Sequence, residues 1–91
     1  MFTLISYDIA SDRRRSKIAN ILLDFGERVQ YSVFELDVTE DQIRVVTAKI
    51  KKVYNETEDS IRIYSMCTGC EKRIDILGNG TLTQNKDVYI L

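Results

Sequence analysis

The chain has 91 residues, 44% of them hydrophobic, and its 13 basic and 14 acidic residues give a net charge of −1. These totals predict one compact domain, residues 1–91, and exclude a strong overall attraction to nucleic acid, so nucleic-acid binding would need a local basic patch. The chain contains no histidine, which excludes Ser-His-Asp and Cys-His nucleophiles, histidine-bearing zinc sites and an imidazole general base.

The first predicted element is a strand over Met1–Ile9, followed at once by a helix. Both faces of the strand are largely apolar, which is typical of a strand covered on both sides. The segment is too short to cross a bilayer and has no basic leader or cleavage site, so we expect a cytoplasmic protein with no membrane partner and reduced thiols. Ser11 or Asp12 is expected to cap the helix and Gly26 to end it, and its apolar face comprises Ile18, Ile21, Leu22 and Phe25.

The middle of the chain predicts extended structure and a second helix. Arg28–Val38 is rich in β-branched and aromatic residues and is either one long strand or two short strands bent near Tyr31 and Ser32. Thr39 to Gln42 reads as a capping box that starts the second helix. We expect this helix to end near Tyr54 and Asn55, and to bury Ile43, Val46, Ile50 and Val53.

Three further strands are predicted, at Ser60–Met66, Arg73–Leu77 and Val88–Leu91, with a turn at Gly78, Asn79 and Gly80. The order of elements predicts an α+β sandwich with two helices on one face of an antiparallel sheet. The other sheet face would then be uncovered and apolar, which predicts a second copy of the chain as its partner.

Asp8 is the candidate metal ligand, because a carboxylate at the end of a core strand is a hard oxygen donor suited to Mg²⁺ or Mn²⁺. Such a residue can equally satisfy a turn. The basic residues just after it could bind phosphate or form an ordinary solvated helix face. These are Arg13, Arg14, Arg15 and Lys17.

Cys67 and Cys70 form one Cys-x-x-Cys pair. A closed zinc site needs four ligands, so one chain supplies half of one. The pair is therefore interpreted first as part of a structural turn, and otherwise as half of a zinc site shared in a dimer or as a redox pair.

Three runs of residues in this order resemble the Cas-two family, the small CRISPR-associated endonucleases that are the second core Cas protein of spacer acquisition. The runs are Ser6-Tyr7-Asp8-Ile9, Ser11-Asp12-Arg13-Arg14-Arg15-Ser16-Lys17 and Gly26-Glu27-Arg28-Val29-Gln30-Tyr31-Ser32-Val33-Phe34-Glu35. The resemblance extends over essentially the whole chain, including its length and the late pair of cysteines.

The resemblance implies a ferredoxin-like β-α-β-β-α-β domain that dimerises through its sheet face, with C-terminal strands within Glu71–Leu91 pairing across the homodimer. It implies that Asp8 binds the catalytic metal, facing its copy in the partner, and that Arg15, Arg28 and Phe34 lie near the same cleft. Phe34 on an exposed strand edge could stack on a base, although core packing is the commoner role for such a residue.

The function implied is Mg²⁺-dependent endonuclease activity on single-stranded RNA or double-stranded DNA, together with a bridging role between dimers of the Cas-one integrase. A structural adaptor without catalysis is the alternative within the family. Outside it, a small α+β dimer that senses or binds a ligand without catalysis remains open.

Overall fold

A computed structural model of the protein describes residues 1–67, 69, 75–78 and 83. Its elements follow the order strand, helix, strand, strand, helix, strand. They are β1 (Phe2–Asp8), α1 (Asp12–Leu23), β2 (Gly26–Gln30), β3 (Val33–Asp37), α2 (Glu40–Lys51) and β4 (Ser60–Met66). No helix among the described residues is long and apolar enough to cross a membrane.

The four strands form one antiparallel sheet in the order β2-β3-β1-β4. Ile5 of β1 lies opposite Phe34 of β3 and Ile63 of β4, so these three side chains share the face that carries the helices. Both helices contribute to a single core with this face, through Ile18 and Leu22 of α1 and Val46 and Ile50 of α2. The predicted ferredoxin-like α+β fold is therefore confirmed.

Both helices begin at the predicted caps. The Ser11 hydroxyl accepts a hydrogen bond from the backbone N–H of Arg14, and Thr39 and Gln42 form a reciprocal capping box at the start of α2. Each cap satisfies backbone N–H groups that have no partner within the helix. The predicted end of α2 near Tyr54 was too late, since the helix ends at Lys51.

The prediction that Gly26 ends the first helix was wrong, because Asp24 is the C-cap and Gly26 is the first residue of β2. A Cβ atom at Gly26 would lie 2.2 Å from the Glu35 carbonyl oxygen and 2.9 Å from Leu36 Cγ. The residue is glycine because the neighbouring strand passes too close for any side chain.

The segment Arg28–Val38 forms two strands rather than one, with the bend at Tyr31 and Ser32 as the second alternative predicted. The register between the two strands shifts between Arg28 and Gln30, so that Val29 is an extra residue in β2. Such a bulge bends a strand and strengthens its twist.

The sheet face away from the helices is mixed in character rather than uniformly apolar as predicted. The register places Leu4 beside Tyr64 and Glu35, and Ser6 beside Arg62 and Val33. In β4, Ile61 and Ile63 alternate with Arg62 and Tyr64. The two isoleucines point toward the helices, so Arg62 and Tyr64 lie on the opposite face and make it mixed.

Most of the predicted C-terminal structure lies outside the described residues, including the strand at Val88–Leu91 and the second cysteine, Cys70. Residues 75–77 are described and are not a strand, so that part of the fourth predicted strand was wrong. Gly78 has φ of 87°, a value that favours glycine and fits the predicted turn.

Candidate functional site

Asp8 is the last residue of β1 and is exposed, whereas its neighbours Tyr7 and Ile9 are buried. The alternation of a regular strand produces this difference, because Tyr7 points into the core and Asp8 points to the opposite face. Tyr7 packs on Phe34 in the core, with ring centroids 6.2 Å apart. Asp8 therefore lies at the carboxyl end of an interior strand, with its side chain exposed to solvent.

A cleft of about 370 Å³ opens beside Asp8 between the end of β1, the first turns of α1 and the hairpin that joins β2 to β3. Arg15 and Arg28 enter it from two different elements, so two guanidinium groups and one carboxylate line the same space. Its remaining lining combines polar and apolar groups, from Tyr7, Ile9, Ser16, Ala19, Tyr31 and Ser32.

Arg15 is held at the cleft by two contacts of its guanidinium group. One Nη donates to the Ile9 carbonyl oxygen at 2.8 Å, and the other contacts the Asp12 carboxylate. A guanidinium group has five N–H donors, so these two contacts orient the side chain without using up its capacity for hydrogen bonds. Its side chain is 44% exposed, which leaves it accessible to a ligand.

Arg28 of β2 is paired with Phe34 of β3, and its guanidinium carbon is 5.2 Å from the centre of the phenyl ring. This cation–π contact places the charge at the cleft. Core packing, the commoner role given for Phe34, is what the structure shows, and the alternative of base stacking on an exposed edge conflicts with it, because β3 is an interior strand and Phe34 is fully buried. Phe34 therefore supports Arg28 from the core and has no free face on which a base could stack.

Arg14 does not share the cleft with Arg15, because it pairs with two acidic residues before β4. Its Nε donates to Asp59 at 2.8 Å, and an Nη donates to Glu58 at 2.9 Å. The Arg14 hydrogen bond lowers the pKa of the Asp59 carboxyl well below its usual range, against the opposing effect of burial, and N–H groups of Asn55 and Ala10 lower it further. The prediction that Arg14 binds phosphate conflicts with this geometry, because Glu58 and Asp59 of the same chain neutralise its charge.

Arg13 and Lys17 are exposed on α1 and, within the described part of the chain, neither lines the cleft. They are four residues apart and share one face of α1, which differs from the face of Arg15, two residues from each. Their predicted contact with nucleic acid stays a prediction.

A second recess, of about 220 Å³, lies on the other side of Asp8 and is lined by Ser6, Tyr7, Ser60 and Arg62 as well. Arg62 and Tyr31 were both missed as site residues by sequence reasoning. Arg62 is separated from Asp8 by more than fifty residues, and the antiparallel pairing of β1 with β4, which places Ser6 opposite Arg62 and Asp8 opposite Ser60, brings the two close together. No motif in the sequence around Asp8 predicts that Arg62 lies beside it.

The donor chemistry at Asp8 suits Mg²⁺, which binds through one or two carboxylates while keeping several waters. Among the described residues no group of three or more acidic or cysteine side chains is placed to hold a metal ion. Of the described residues that line the cleft, Asp8 is the one that carries a carboxylate.

A family model described as CRISPR associated protein Cas2 matches residues 1–74 of the chain. The chain belongs to the Cas2 family. The match contains Asp8, both cleft arginines and the whole four-stranded sheet, so the site described above lies entirely within the region that defines Cas2 proteins. The resemblance to the Cas-two family that the sequence motifs indicated is therefore confirmed.

Curated and solved Cas2 proteins agree with this assignment. A protein named CRISPR-associated endoribonuclease Cas2 1 from Chloroflexus aurantiacus is 42% identical over 93 residues, with 100% of each chain covered. The crystal structure of Streptococcus pyogenes Cas2 matches with a TM-score of 0.72 and 31% identity, over 86% of this chain and 100% of the other. A chain in a structure titled as a partial Cas6-RT-Cas1–Cas2 complex matches with a TM-score of 0.68 and 31% identity, over 84% of this chain and 89% of the other.

Proposed function

We propose that the protein is a metal-dependent endonuclease of CRISPR adaptation, which hydrolyses phosphodiester bonds in single-stranded RNA or double-stranded DNA. The observation that carries this proposal is the exposed Asp8 carboxylate in a cleft shared with Arg15 and Arg28. The endoribonuclease name of the Chloroflexus relative supports the same class of reaction.

In this proposal Asp8 holds Mg²⁺, or Mn²⁺ in its place. When bound, the ion supplies a water of lowered pKa and a positive charge for the phosphate oxygen. Arg15 and Arg28 bind the phosphates on either side of the bond to be broken, and their planar guanidinium groups suit bidentate contact with phosphate. Arg13 and Lys17 extend the contact along the backbone of the nucleic acid.

The working unit in this proposal is a homodimer in which the two copies of Asp8 face each other. One carboxylate per chain is a weak ligand set for a hard cation, whereas two from a symmetric pair match what Mg²⁺ usually takes from a protein. The exposed Tyr64 and Arg62 and the half-buried Leu4 on the face away from the helices support an interface there, since this face combines apolar and charged groups.

The experiment compares cleavage of labelled single-stranded RNA and double-stranded DNA in Mg²⁺, Mn²⁺ or EDTA. Asp8→Asn should reduce metal-dependent cleavage to the EDTA background, because the amide keeps the shape of the side chain but loses the charge that holds the cation. Asp24→Asn is the matched control, since Asp24 is exposed at the end of α1 and loses the same charge away from the cleft. Cleavage by Asp8→Asn at the wild-type rate in saturating Mg²⁺ would contradict the catalytic role.

The second candidate function is that of a non-catalytic adaptor that bridges dimers of the Cas1 integrase. The similarity to a chain in a solved complex whose title includes Cas1 and Cas2 favours it. A mixture of this protein with the Cas1 protein of the same CRISPR locus should then form a stable complex on size-exclusion chromatography. Spacer integration that survives Asp8→Asn, together with cleavage that does not, would show that both functions reside in one protein.

A further inference from the structure

The most exposed aromatic side chain among the described residues is Tyr31, at the tip of the β2–β3 hairpin, where 94% of it is accessible to solvent. Other aromatic residues of this sheet, Phe2, Tyr7 and Phe34, are buried to at least nine-tenths. The Tyr31 ring therefore contributes little to folding and presents both of its faces to solvent. Its location beside the cleft, together with its exposure, indicates a role in ligand binding.

Tyr31 lines the same cleft as Asp8, Arg15 and Arg28. It also lines an open groove of about 550 Å³ that runs along the hairpin from Arg28 to Ser32. Arg28, Tyr31 and Ser32 line both the cleft and this groove. A chain of nucleotides with one phosphate at Arg28 would thus pass an aromatic ring immediately beyond it. Positive charge followed by an exposed aromatic ring is the arrangement by which proteins bind unpaired nucleotides.

The backbone that carries Tyr31 is tied to the strand that carries Asp8. The Tyr7 hydroxyl donates to the Tyr31 carbonyl oxygen at 3.3 Å, and the Tyr7 backbone N–H donates to the Ser32 carbonyl oxygen at 3.1 Å. The bulge at Val29 directly precedes the turn and bends the strand there. An exposed ring on a backbone fixed relative to the Asp8 carboxylate loses little entropy when it binds a ligand.

We propose that Tyr31 is a base-stacking residue, and that the substrate bound at this cleft is single-stranded. This inference rests on the proposed nuclease function and narrows its substrate class. A base can lie on the ring only when it is free of its own helical stack, so the contact is available to an unpaired strand and closed to a continuous duplex. Stacking tolerates any base, and the cleft is therefore expected to show little sequence preference.

The test measures equilibrium binding in EDTA, so that it does not depend on cleavage or on the role of Asp8. Fluorescence anisotropy is followed for a labelled short single-stranded RNA, the same strand with abasic positions, and the same sequence as a duplex. Tyr31→Ala is compared with Tyr31→Phe, which keeps the ring. Val45→Ala is the matched control, because Val45 is exposed on α2, lines neither the cleft nor the groove and lacks a π face.

Tyr31→Ala should weaken binding of the single-stranded RNA by about 5- to 150-fold, the loss expected for one base–aromatic stack. Tyr31→Phe and Val45→Ala should stay within about twofold of the wild type, and the Tyr31→Ala effect should vanish on the abasic strand and the duplex. If the wild type binds RNA and Tyr31→Ala binds each of the three probes as tightly as the wild type does, the inference is overturned while the nuclease proposal stands. If the wild type binds none of the probes, the proposed function itself fails and the inference with it. A loss of binding to the Cas1 protein without a loss of RNA binding would assign Tyr31 to a protein interface instead and would also overturn it.

Discussion

Arg14 on α1 and Asp59 in the loop before β4 form a bidentate ion pair, with Nε 2.8 Å from Oδ2 and Nη2 3.1 Å from Oδ1. The Asp59 carboxylate also accepts hydrogen bonds from the backbone N–H groups of Ala10 and Asn55, at 3.0 and 2.9 Å. Its side chain is fully buried. Because Ala10 follows the strand that ends at Asp8, this one carboxylate fixes the loop that leaves the candidate site.

Asp59→Asn should lower the midpoint of thermal unfolding by at least a few degrees near pH 7, because the amide removes the charge that Arg14 neutralises. The pKa of Asp59 is lowered by folding. Its stabilising effect is therefore fully present above the pKa of an unfolded aspartate, about 3.9, and is lost as the pH falls from there toward the folded pKa. The difference between wild type and variant should accordingly shrink below about pH 4. Glu58→Gln is the control, since the Glu58 side chain is 57% exposed and its pair with Arg14 contributes little. A difference that stays constant between about pH 7 and pH 3 would contradict this account.

Gly26→Ala should destabilise the protein by about 1–3 kcal/mol, the usual cost of overpacking. The new Cβ would overlap the carbonyl oxygen of Glu35, a backbone atom that moves only if β3 moves. Urea unfolding measures the change. Gly69→Ala is the matched control, because among the described residues its Cβ would meet only Cys67 Sγ, at an ordinary 3.9 Å. Equal stability of the two variants would show that the strands separate without cost.

Phe34→Ala should lower the free energy of unfolding by about 3–5 kcal/mol, as expected for a fully buried phenyl ring. Tyr31→Ala should change it by less than about 0.5 kcal/mol, because that ring is almost entirely exposed. Denaturant unfolding of the two variants compares an aromatic residue of the core with one of the surface. If Phe34→Ala changed the free energy of unfolding as little as Tyr31→Ala, the phenyl ring would not be part of the core and base stacking on it would again be an option.

Neutralising Arg15 and Arg28 together should flatten the salt dependence of single-stranded RNA binding. Each lost phosphate contact lowers the log–log slope by about 0.7 on a single strand. Arg13→Gln with Lys17→Gln tests the adjoining helix face separately. Arg14 is left intact in this series because its replacement would disrupt Asp59. Arg44→Gln on α2 is the control, since Arg44 is 71% exposed and pairs with Asp41. An unchanged slope after loss of Arg15 and Arg28 would place the phosphate contacts elsewhere.

The sequence predicted those features that depend on neighbours along the chain. The caps at Ser11 and Thr39, the strand that ends at Asp8 and the order of elements follow from local hydrogen bonding and hydrophobic alternation. Gly26 was misinterpreted because a glycine after a helix usually ends it, whereas here the constraint comes from a carbonyl group on the next strand.

The role of Phe34 was likewise set by strand order rather than by local sequence. Nothing in the residues around it shows that β3 lies inside the sheet between β2 and β1. The pairing of Arg14 with Asp59 joins residues 45 positions apart, so a run of three arginines could not reveal which one the fold would neutralise. Local sequence patterns do not predict tertiary contacts of this kind.

Asp8→Asn should leave the proposed homodimer as stable as before in EDTA, or more stable. Two carboxylates that face each other without a cation repel, by about 1 kcal/mol at 4 Å in water and more where water is partly excluded. Removing both charges should therefore lower the dissociation constant of the dimer by up to about tenfold, measured by sedimentation at several protein concentrations. Added Mg²⁺ should tighten the wild-type dimer and leave the variant unchanged, while Asp24→Asn should behave as the wild type. A weaker dimer in Asp8→Asn would show that the carboxylates form favourable contacts across the interface, and a monomeric wild type would remove the basis for a shared metal site.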